Sequence, residues 1–406
     1  MRDGLGVAVI GAGMAGKAHA AAYRTASALY SPDLPPVRLV SIGDVNEEFG
    51  SLAARRFGYE RNDTRWEAIA EADDIDVVSV VIANSLHLEV VEGLLAAGKH
   101  VLCEKPLSDT LDSARRMAEV AASASSLARV GFTFRRTPGI AYIRELVRSG
   151  TLGRVLHFSG RYWTDYGCSP HAPMSWRYKG EPGSGALADV GSHLSYVGEF
   201  VCGDIAEVSG GRLGTVIPTR PLPLGAVMGH DHAAVSDVHE PVENDDYATF
   251  STAFENGLGS LEVSRVAAGH ANSLIFEVFC ENGAAYFDQR RPAEIGLFLS
   301  EGTASQNGYR QVILGPEHPY IAGGLAMDAP SVGFGQNDAF AYQARAFLEE
   351  VAGLREEELL PRCATFDEGV HNMEILAAVA QSAAKGGASV PVETYTTTSS
   401  DRKALR

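Results

Sequence analysis

An apolar run, Val7-Ala8-Val9-Ile10, leads into Gly11-Ala12-Gly13-Met14-Ala15-Gly16, and an alanine-rich stretch follows from Lys17 to Tyr23. Strand, glycine turn and helix, in that order, is the context in which G-x-G-x-x-G cradles a dinucleotide. The first glycine, Gly11, permits the tight turn. Gly13 lets backbone approach a pyrophosphate, and Gly16 lets the helix pack against the strand. Amides at the helix start, at Met14 and Ala15, then face the phosphate charge. Glycine is common in this chain, 43 of 406 residues, so the surrounding pattern carries the reading rather than the glycines alone.

The alternation continues through the first third of the chain. Helix is predicted over Ala15–Leu29, strand over Val37–Ile42 and helix over Glu47–Phe57. The β-branched run Asp76–Ile82 suits a strand buried on both faces. A helix follows at Leu88–Ala97, ending at Gly98, a C-cap residue. Strand His100–Cys103, helix Thr110–Ala124 and strand Ala128–Phe134 complete the series. Such βαβ repetition implies a doubly wound parallel sheet, a Rossmann domain over residues 1–135.

Beyond it the pattern changes. Val155–Trp163, Ala206–Leu213, Asp246–Phe254, Gly257–Ser264, Leu274–Cys280 and Ala284–Asp288 read as strands without helices between them. Asn256-Gly257 is a turn signal between two of them. Residues 136–406 are therefore expected to form an α+β domain on a large, mostly antiparallel open sheet. Two helices, Asp338–Val351 and Phe366–Ala384, close it, and the polar end from Thr396 is expected to fray. Two segments resist placement: proline-rich Ser31–Pro36, and Pro218–Val242 with His230, His232 and His239. His-x-His can bind metal, but no cysteine or carboxylate cluster accompanies it, so a mobile loop and no metal are expected.

Bulk properties narrow the function. A net charge of −17 opposes binding to nucleic acid or to an anionic membrane surface. The five cysteines, at 103, 168, 202, 280 and 363, show no C-x-x-C spacing, which favours a reducing cytoplasm. The N-terminus has no signal-peptide pattern, and the longest strongly apolar run, Val77 to Ala83, is too short to span a bilayer.

Several residues at strand ends carry chemistry. Asp44, 28 residues beyond Gly16, ends the second strand and suits the ribose hydroxyls of NAD. It would repel the 2′-phosphate of NADP. It also reads as the cap of the next helix, and the two roles are compatible. Ala83, Asn84 and His87 leave the next strand at the ligand-binding end as candidate cofactor contacts, with local structure as the alternative for His87. Asn84 can hold ribose or carboxamide, or cap a helix. Glu104-Lys105-Pro106 leaves the following strand into the same cleft, where a lysine can steady a developing alkoxide. Asp189 and His193, four residues apart, share a helical face. A histidine there can take a hydroxyl proton while the carboxylate orients it. Tyr162, Trp163, Asp165, Trp176 and Arg177 are candidates for substrate contact, with core packing as the alternative for the two tryptophans.

Together, Gly11–Gly16, Glu104-Lys105-Pro106, Ser175-Trp176-Arg177 and Gly183–His193 with Asp189 resemble the glucose–fructose oxidoreductase/inositol dehydrogenase (Gfo/Idh/MocA) family over most of the chain. The long first connection and the Trp66 segment are most similar to its levoglucosan dehydrogenase-like and inositol dehydrogenase-like members. The resemblance implies a tightly held nicotinamide cofactor, a second-domain sheet that forms homodimer or homotetramer contacts, and redox chemistry at one carbon of a cyclic sugar or polyol. It implies catalytic roles for Lys105, Asp189 and His193. Departures occur at Gly183-Ser184-Gly185, at Ser195-Tyr196 and at Thr133, all near the expected substrate pocket. The same residues would serve a keto-sugar reductase, and a non-catalytic NAD sensor would have lost Lys105 or His193.

Overall fold

Strand and helix alternate through the first third of the chain. β1 (Leu5–Ile10), α1 (Met14–Ala26), β2 (Val37–Gly43), α2 (Glu47–Phe57), β3 (Arg61–Asp63) and α3 (Trp66–Glu71) come first. β4 (Val77–Val80), α4 (His87–Ala96), β5 (His100–Cys103), α5 (Leu111–Ser123) and β6 (Ala128–Val130) follow. The computed structural model describes residues 4–30, 34–225, 233–300, 307–354 and 360–393. Residues 31–33 of the first long connection, His230, His232 and the expected frayed end lie outside the described residues.

Local chemistry explains these boundaries. Every residue of β4 is buried, as a β-branched strand covered on both faces should be. Asn46 caps α2 by accepting from the amides of Glu48 and Phe49, and Gly58 ends it at φ 76°. Val130 closes β6 earlier than the expected Phe134, because Thr133–Arg136 turn into a 3₁₀ helix.

The second half contains α6 (Pro138–Arg148), β7 (Val155–Trp163), α7 (Ser192–Cys202), β8 (Ile205–Gly214), β9 (Thr219–Pro223) and β10 (Val235–Pro241). Next come β11 (Tyr247–Phe254), β12 (Leu258–Ser264), β13 (Ser273–Cys280), β14 (Gly283–Asp288), β15 (Glu294–Leu299) and β16 (Arg310–Ile313). The chain closes with α8 (Gln336–Ala352), β17 (Ala364–Thr365), α9 (Phe366–Ala384) and β18 (Val390–Pro391).

Among the described residues these strands form a seven-stranded sheet ordered β17-β6-β5-β4-β1-β2-β3, a nine-stranded sheet ordered β16-β15-β14-β13-β7-β12-β11-β8-β18, and the hairpin β9–β10. The first is parallel from β3 to β6. The second is antiparallel except where β7 lies parallel to β12. Apolar residues of α6, α7 and α9 fill its inner face, with Ile140, Val197 and Val379 packed around Phe158, Phe276 and Phe287.

Two expectations need correction. Pro218–Val242 is not simply a loop, because β9 and β10 pair across it. Their prolines are tolerated in an isolated two-stranded ribbon, where one edge of each strand needs no partner. His239 lies exposed on β10 with its ring Nδ1 3.1 Å from the Asp237 carbonyl. Nor does the chain divide cleanly after residue 135. Strand β17 returns to pair with β6, and Phe347 of α8 packs among Val7, Val9 and Tyr23. The parallel sheet thus presents its strand ends to an element that arrives from the far end of the chain.

Candidate active site

At the carboxyl ends of β1, β4 and β5 a cavity of about 1140 Å³ opens between the parallel sheet and the second sheet. Gly13, Met14, Ala15 and Gly16 line one end, Ala83, Asn84, Glu104 and Lys105 the middle, and Tyr162, Arg177, Asp189 and His193 the other. It lies at the crevice where doubly wound sheets bind ligands.

The glycine end has the shape of a phosphate cradle. Gly11 sits at φ 108°, and a Cβ there would strike the Val81 carbonyl. A Cβ on Gly16 would strike the carbonyl of Gly11. A Cβ on Gly13 would meet nothing within 4 Å, so the open face of the turn points into free space. Gly13 also leaves the first amides of α1 without a side-chain cap, and the first turn contains no acid. Uncapped helix-start amides beside that space suit an anionic phosphate.

Asp44 lies off the cavity wall, beneath this turn. Its Oδ2 accepts from the Ala12 amide and its Oδ1 from the Asn46 amide, each at 2.8 Å. The cap of α2 is Asn46, so Asp44 braces the glycine turn instead. Asn84 lines the cavity and does not cap α4, which starts without a side-chain cap. His87 is corrected as a cofactor contact: it is fully buried, with ring nitrogens 3.0 Å from the Leu107 carbonyl and 3.2 Å from that of Ile82. Burial lowers its pKa, so it is a neutral strut.

Glu104 is buried under the centre of the cavity. Its Oε1 lies 2.9 Å from Nε2 of His19, and its Oε2 accepts from the Lys105 amide at 3.1 Å. Burial opposes its charge, but the His19 hydrogen bond and the charges of His19 and Lys105 hold its pKa below the ordinary carboxylate value. The Lys105–Pro106 peptide bond is cis.

Lys105 reaches across the cavity to the second domain. Its Nζ donates to the backbone carbonyl of Asp189 at 2.8 Å and to Oδ1 of the same residue at 3.3 Å. That carbonyl is available because Leu187–Gly191 form a π-helical turn ahead of α7, and such turns recur at functional sites. Tyr166 donates to Asp189 Oδ2 at 2.8 Å, and Arg177 Nη1 approaches it to 3.9 Å. Burial alone would raise the Asp189 pKa. The charges of Lys105 and Arg177 and the Tyr166 hydroxyl lower it well below the ordinary value, so the carboxylate stays ionised.

His193 is half-buried at the cavity wall, edge-on to Phe134 with ring centroids 4.9 Å apart and tilted against Tyr162 at 5.9 Å. The expected hydrogen bond that would let Asp189 orient it is absent among the described residues; Lys105 and Tyr166 take that carboxylate. Burial and the charge of Lys105 push the His193 pKa well below 6.5, and Asp189 offsets them only in part. The imidazole is thus neutral and able to accept a proton.

Residues 5–132 match the model of the oxidoreductase family with an NAD-binding Rossmann fold, and residues 140–286 match the GFO/IDH/MocA C-terminal domain. The chain belongs to the Gfo/Idh/MocA family. It is 35% identical over 357 residues to levoglucosan dehydrogenase of Pseudarthrobacter phenanthrenivorans, covering 86% of this chain and 89% of that protein. A levoglucosan dehydrogenase structure in complex with NADH and L-sorbose superposes with a TM-score of 0.87 at 31% identity, over 96% of this chain and 99% of that one. An NAD binding oxidoreductase from Klebsiella pneumoniae gives a TM-score of 0.85 at 29% identity, over 97% and 100%. This Gfo/Idh/MocA member is an NAD-binding oxidoreductase of the sugar dehydrogenase type.

Elsewhere around the site of this Gfo/Idh/MocA member the sequence reading needs revision. Trp163 is off the wall: Arg161 stacks on its ring at 4.4 Å and His270 meets it edge-on. Asp165 is also off it, in the turn that follows β7, where its carbonyl accepts from Cys168. Trp176 does line the cavity, 54% exposed, with the Arg177 guanidinium 4.6 Å above its ring.

Asp245 went unread. Its carboxylate accepts from the amides of Gly183, Gly185 and Leu187 at 2.8–3.1 Å and so caps the π-turn that holds Asp189. Beside it, the buried Asp246–Arg265 pair, 2.7 Å apart, and Asn244 tie down the Arg177 carbonyl. The polar triplet Asn244-Asp245-Asp246, two acids and an amide ahead of a strand, is the available signal. Among the described residues, no group of three or more histidines, cysteines or acids could hold a metal, and no helix is long and apolar enough to cross a membrane.

Proposed function

We propose that this enzyme oxidises a secondary hydroxyl on a cyclic sugar or polyol, with levoglucosan the first candidate. The observation that carries this reading is Lys105 Nζ fixed against Asp189 in a cavity whose wall also holds a neutral His193. NAD, when bound, supplies the two-electron acceptor for the hydride. Gly13 to Gly16 and the amides of α1 hold its pyrophosphate, Ala83 and Asn84 serve its ribose side along the cavity, and Asp44, half-buried beyond the lining, has a second lone pair on each carboxylate oxygen with which to accept from a ribose hydroxyl.

His193 accepts the hydroxyl proton at a ring nitrogen. Lys105 donates a hydrogen bond to the same oxygen and stabilises negative charge as it builds. Asp189 acts on Lys105 rather than on His193: its carboxylate and carbonyl hold the ammonium group at one point. Arg177 and Trp176 offer the sugar a donor and an apolar face. Residues 1–135 hold the cofactor and residues 136–406 the substrate, with α8 serving both. Five free cysteines suit a cytoplasmic enzyme, and the outer face of the nine-stranded sheet suits homodimer or homotetramer contacts.

The test is NADH formation across a panel of levoglucosan, D-xylose, L-sorbose and inositols, repeated with His193→Ala. The variant is expected to lose roughly 10²–10⁴-fold in turnover with NAD affinity unchanged. Wild-type turnover by His193→Ala removes the base assignment. Tight NAD binding without turnover of any sugar favours a sensor.

A further inference from the structure

A chain of uncharged side chains runs along the cavity wall from His193 to the start of α8. Tyr162, beside His193, donates to Asn272 Oδ1 at 2.7 Å. Asn272 Nδ2 donates to Gln336 Oε1 at 3.0 Å, and Gln289 Nε2 donates to the same oxygen at 3.3 Å. Gln289 Oε1 in turn accepts from the Leu274 amide at 2.9 Å.

The orientation of every amide in this chain is forced. A backbone N–H can only donate, so the Gln289 oxygen faces Leu274 and its NH₂ faces Gln336. Gln336 must therefore offer oxygen to both neighbours. Asn272 then meets it through NH₂ and turns its own oxygen to the Tyr162 hydroxyl. Burial keeps that phenol protonated, as a donor must be. The accounting leaves one group over. Nε2 of Gln336 keeps both protons and has no acceptor among the described residues, while Gln336 and Asn272 both line the cavity.

We infer that Gln336, locked by Asn272 and Gln289, is a specificity-determining contact that donates to a substrate hydroxyl other than the one oxidised. This rests on the proposed reading of the site as a sugar pocket. The partner class follows from the chemistry: two fixed N–H donors on a neutral amide suit a neutral hydroxyl or ring oxygen, and the chain starts beside the proton-accepting imidazole. Gln336 comes from α8, which packs on the cofactor domain, whereas Asn272 precedes β13 and Gln289 follows β14. The contact therefore spans both halves of the cavity.

The test compares wild type with Gln336→Leu, using the sugar that wild type oxidises fastest and the monodeoxy analogues of that sugar. NADH affinity is followed by fluorescence. Gln336 is an exposed first-turn residue, so Gln336→Leu should fold. The expected result is about a tenfold loss of kcat/KM on the parent sugar and no loss on one deoxy analogue, with NADH affinity unchanged. Asn272→Leu, which frees the Gln336 rotamer, should reproduce a smaller loss on that analogue series. An equal loss on every analogue, or weakened NADH binding, overturns the assignment. The wild-type rate reports on the sugar reading itself, and only the difference between variant and wild type reports on Gln336.

Discussion

Gly185→Ala is the sharpest test of how the second domain presents Asp189. A Cβ on Gly185 would overlap the Asp245 carbonyl oxygen and lie 2.8 and 2.9 Å from the nitrogen and carbonyl carbon of Asp245. Ordinary contact needs about 3.5 Å, so relieving the nitrogen and carbon contacts and the deeper oxygen overlap requires the two backbones to separate by more than about 1 Å. Asp245 cannot easily give way. Its carbonyl accepts from the Ala186 amide at 2.9 Å, and its neighbour Asp246 is pinned in a buried pair with Arg265. The π-turn must therefore move, and the Asp189 amide, bonded to the Gly185 carbonyl at 3.0 Å, moves with it. Overpacking of this kind costs about 1–3 kcal/mol of stability. A displacement of about 1 Å at a reacting group costs roughly 10²-fold in rate. The assay is kcat on the fastest sugar, with thermal melting and NADH fluorescence titration alongside. The expectation is a folded protein with normal NADH affinity, since the glycine turn lies in the other half, and a kcat lowered by roughly 10²-fold. Wild-type kcat with unchanged melting would refute the idea that close backbone approach at Gly185 positions Asp189.

Two further outcomes follow from charge. Lys105 lowers the His193 pKa, so in Lys105→Met the acid limb of kcat/KM should move to higher pH on top of a lower rate, whereas an unmoved limb would separate the two residues electrostatically. His371 is buried between Glu199 and Glu374, its Nε2 2.8 Å from Glu199 Oε1. Burial opposes its charge, but the charge and hydrogen bond of Glu199, the Glu374 carboxylate 3.6 Å from its Nδ1 and the charge of Asp204 raise its pKa to about 10. A folded-state pKa above the unfolded value stabilises fully below about pH 6.5 and is lost as pH rises through 10. The melting temperature of wild type should thus fall more steeply between pH 7 and 10 than that of His371→Gln, and equal slopes would exclude the ion pair as the cause.

Much of the parallel sheet is legible because hydrophobic period and turn chemistry act locally. α2, β5, β7 and α9 coincide residue for residue with the segments expected from the sequence. α6 is hard to see in the sequence because Pro138 and Gly139 look like breakers, yet proline at the first helical position needs no amide partner. The hairpin β9–β10 was hidden by its prolines for a related reason. At the site, the spacing of Asp189 and His193 suggested a bonded pair, whereas the π-turn and Lys105 redirect the carboxylate. His87 illustrates the converse, as its position after a strand end fits either cofactor contact or local structure, and its burial decides for structure.

The sequence by itself determined the glycine turn between β1 and α1, the parallel sheet followed by a larger, mostly antiparallel one, and the placing of Lys105 after a strand end and of Asp189 four residues before His193, since each is written in residues close together in the chain. Only the tertiary structure decided which groups act on which. Lys105 and Asp189 are 84 residues apart, and Gln336 lies 64 beyond Asn272. Asp245 caps a turn 58–62 residues before it. Hydrogen bonds act over about 3 Å, so a pattern along the chain supplies the participants but not their partners.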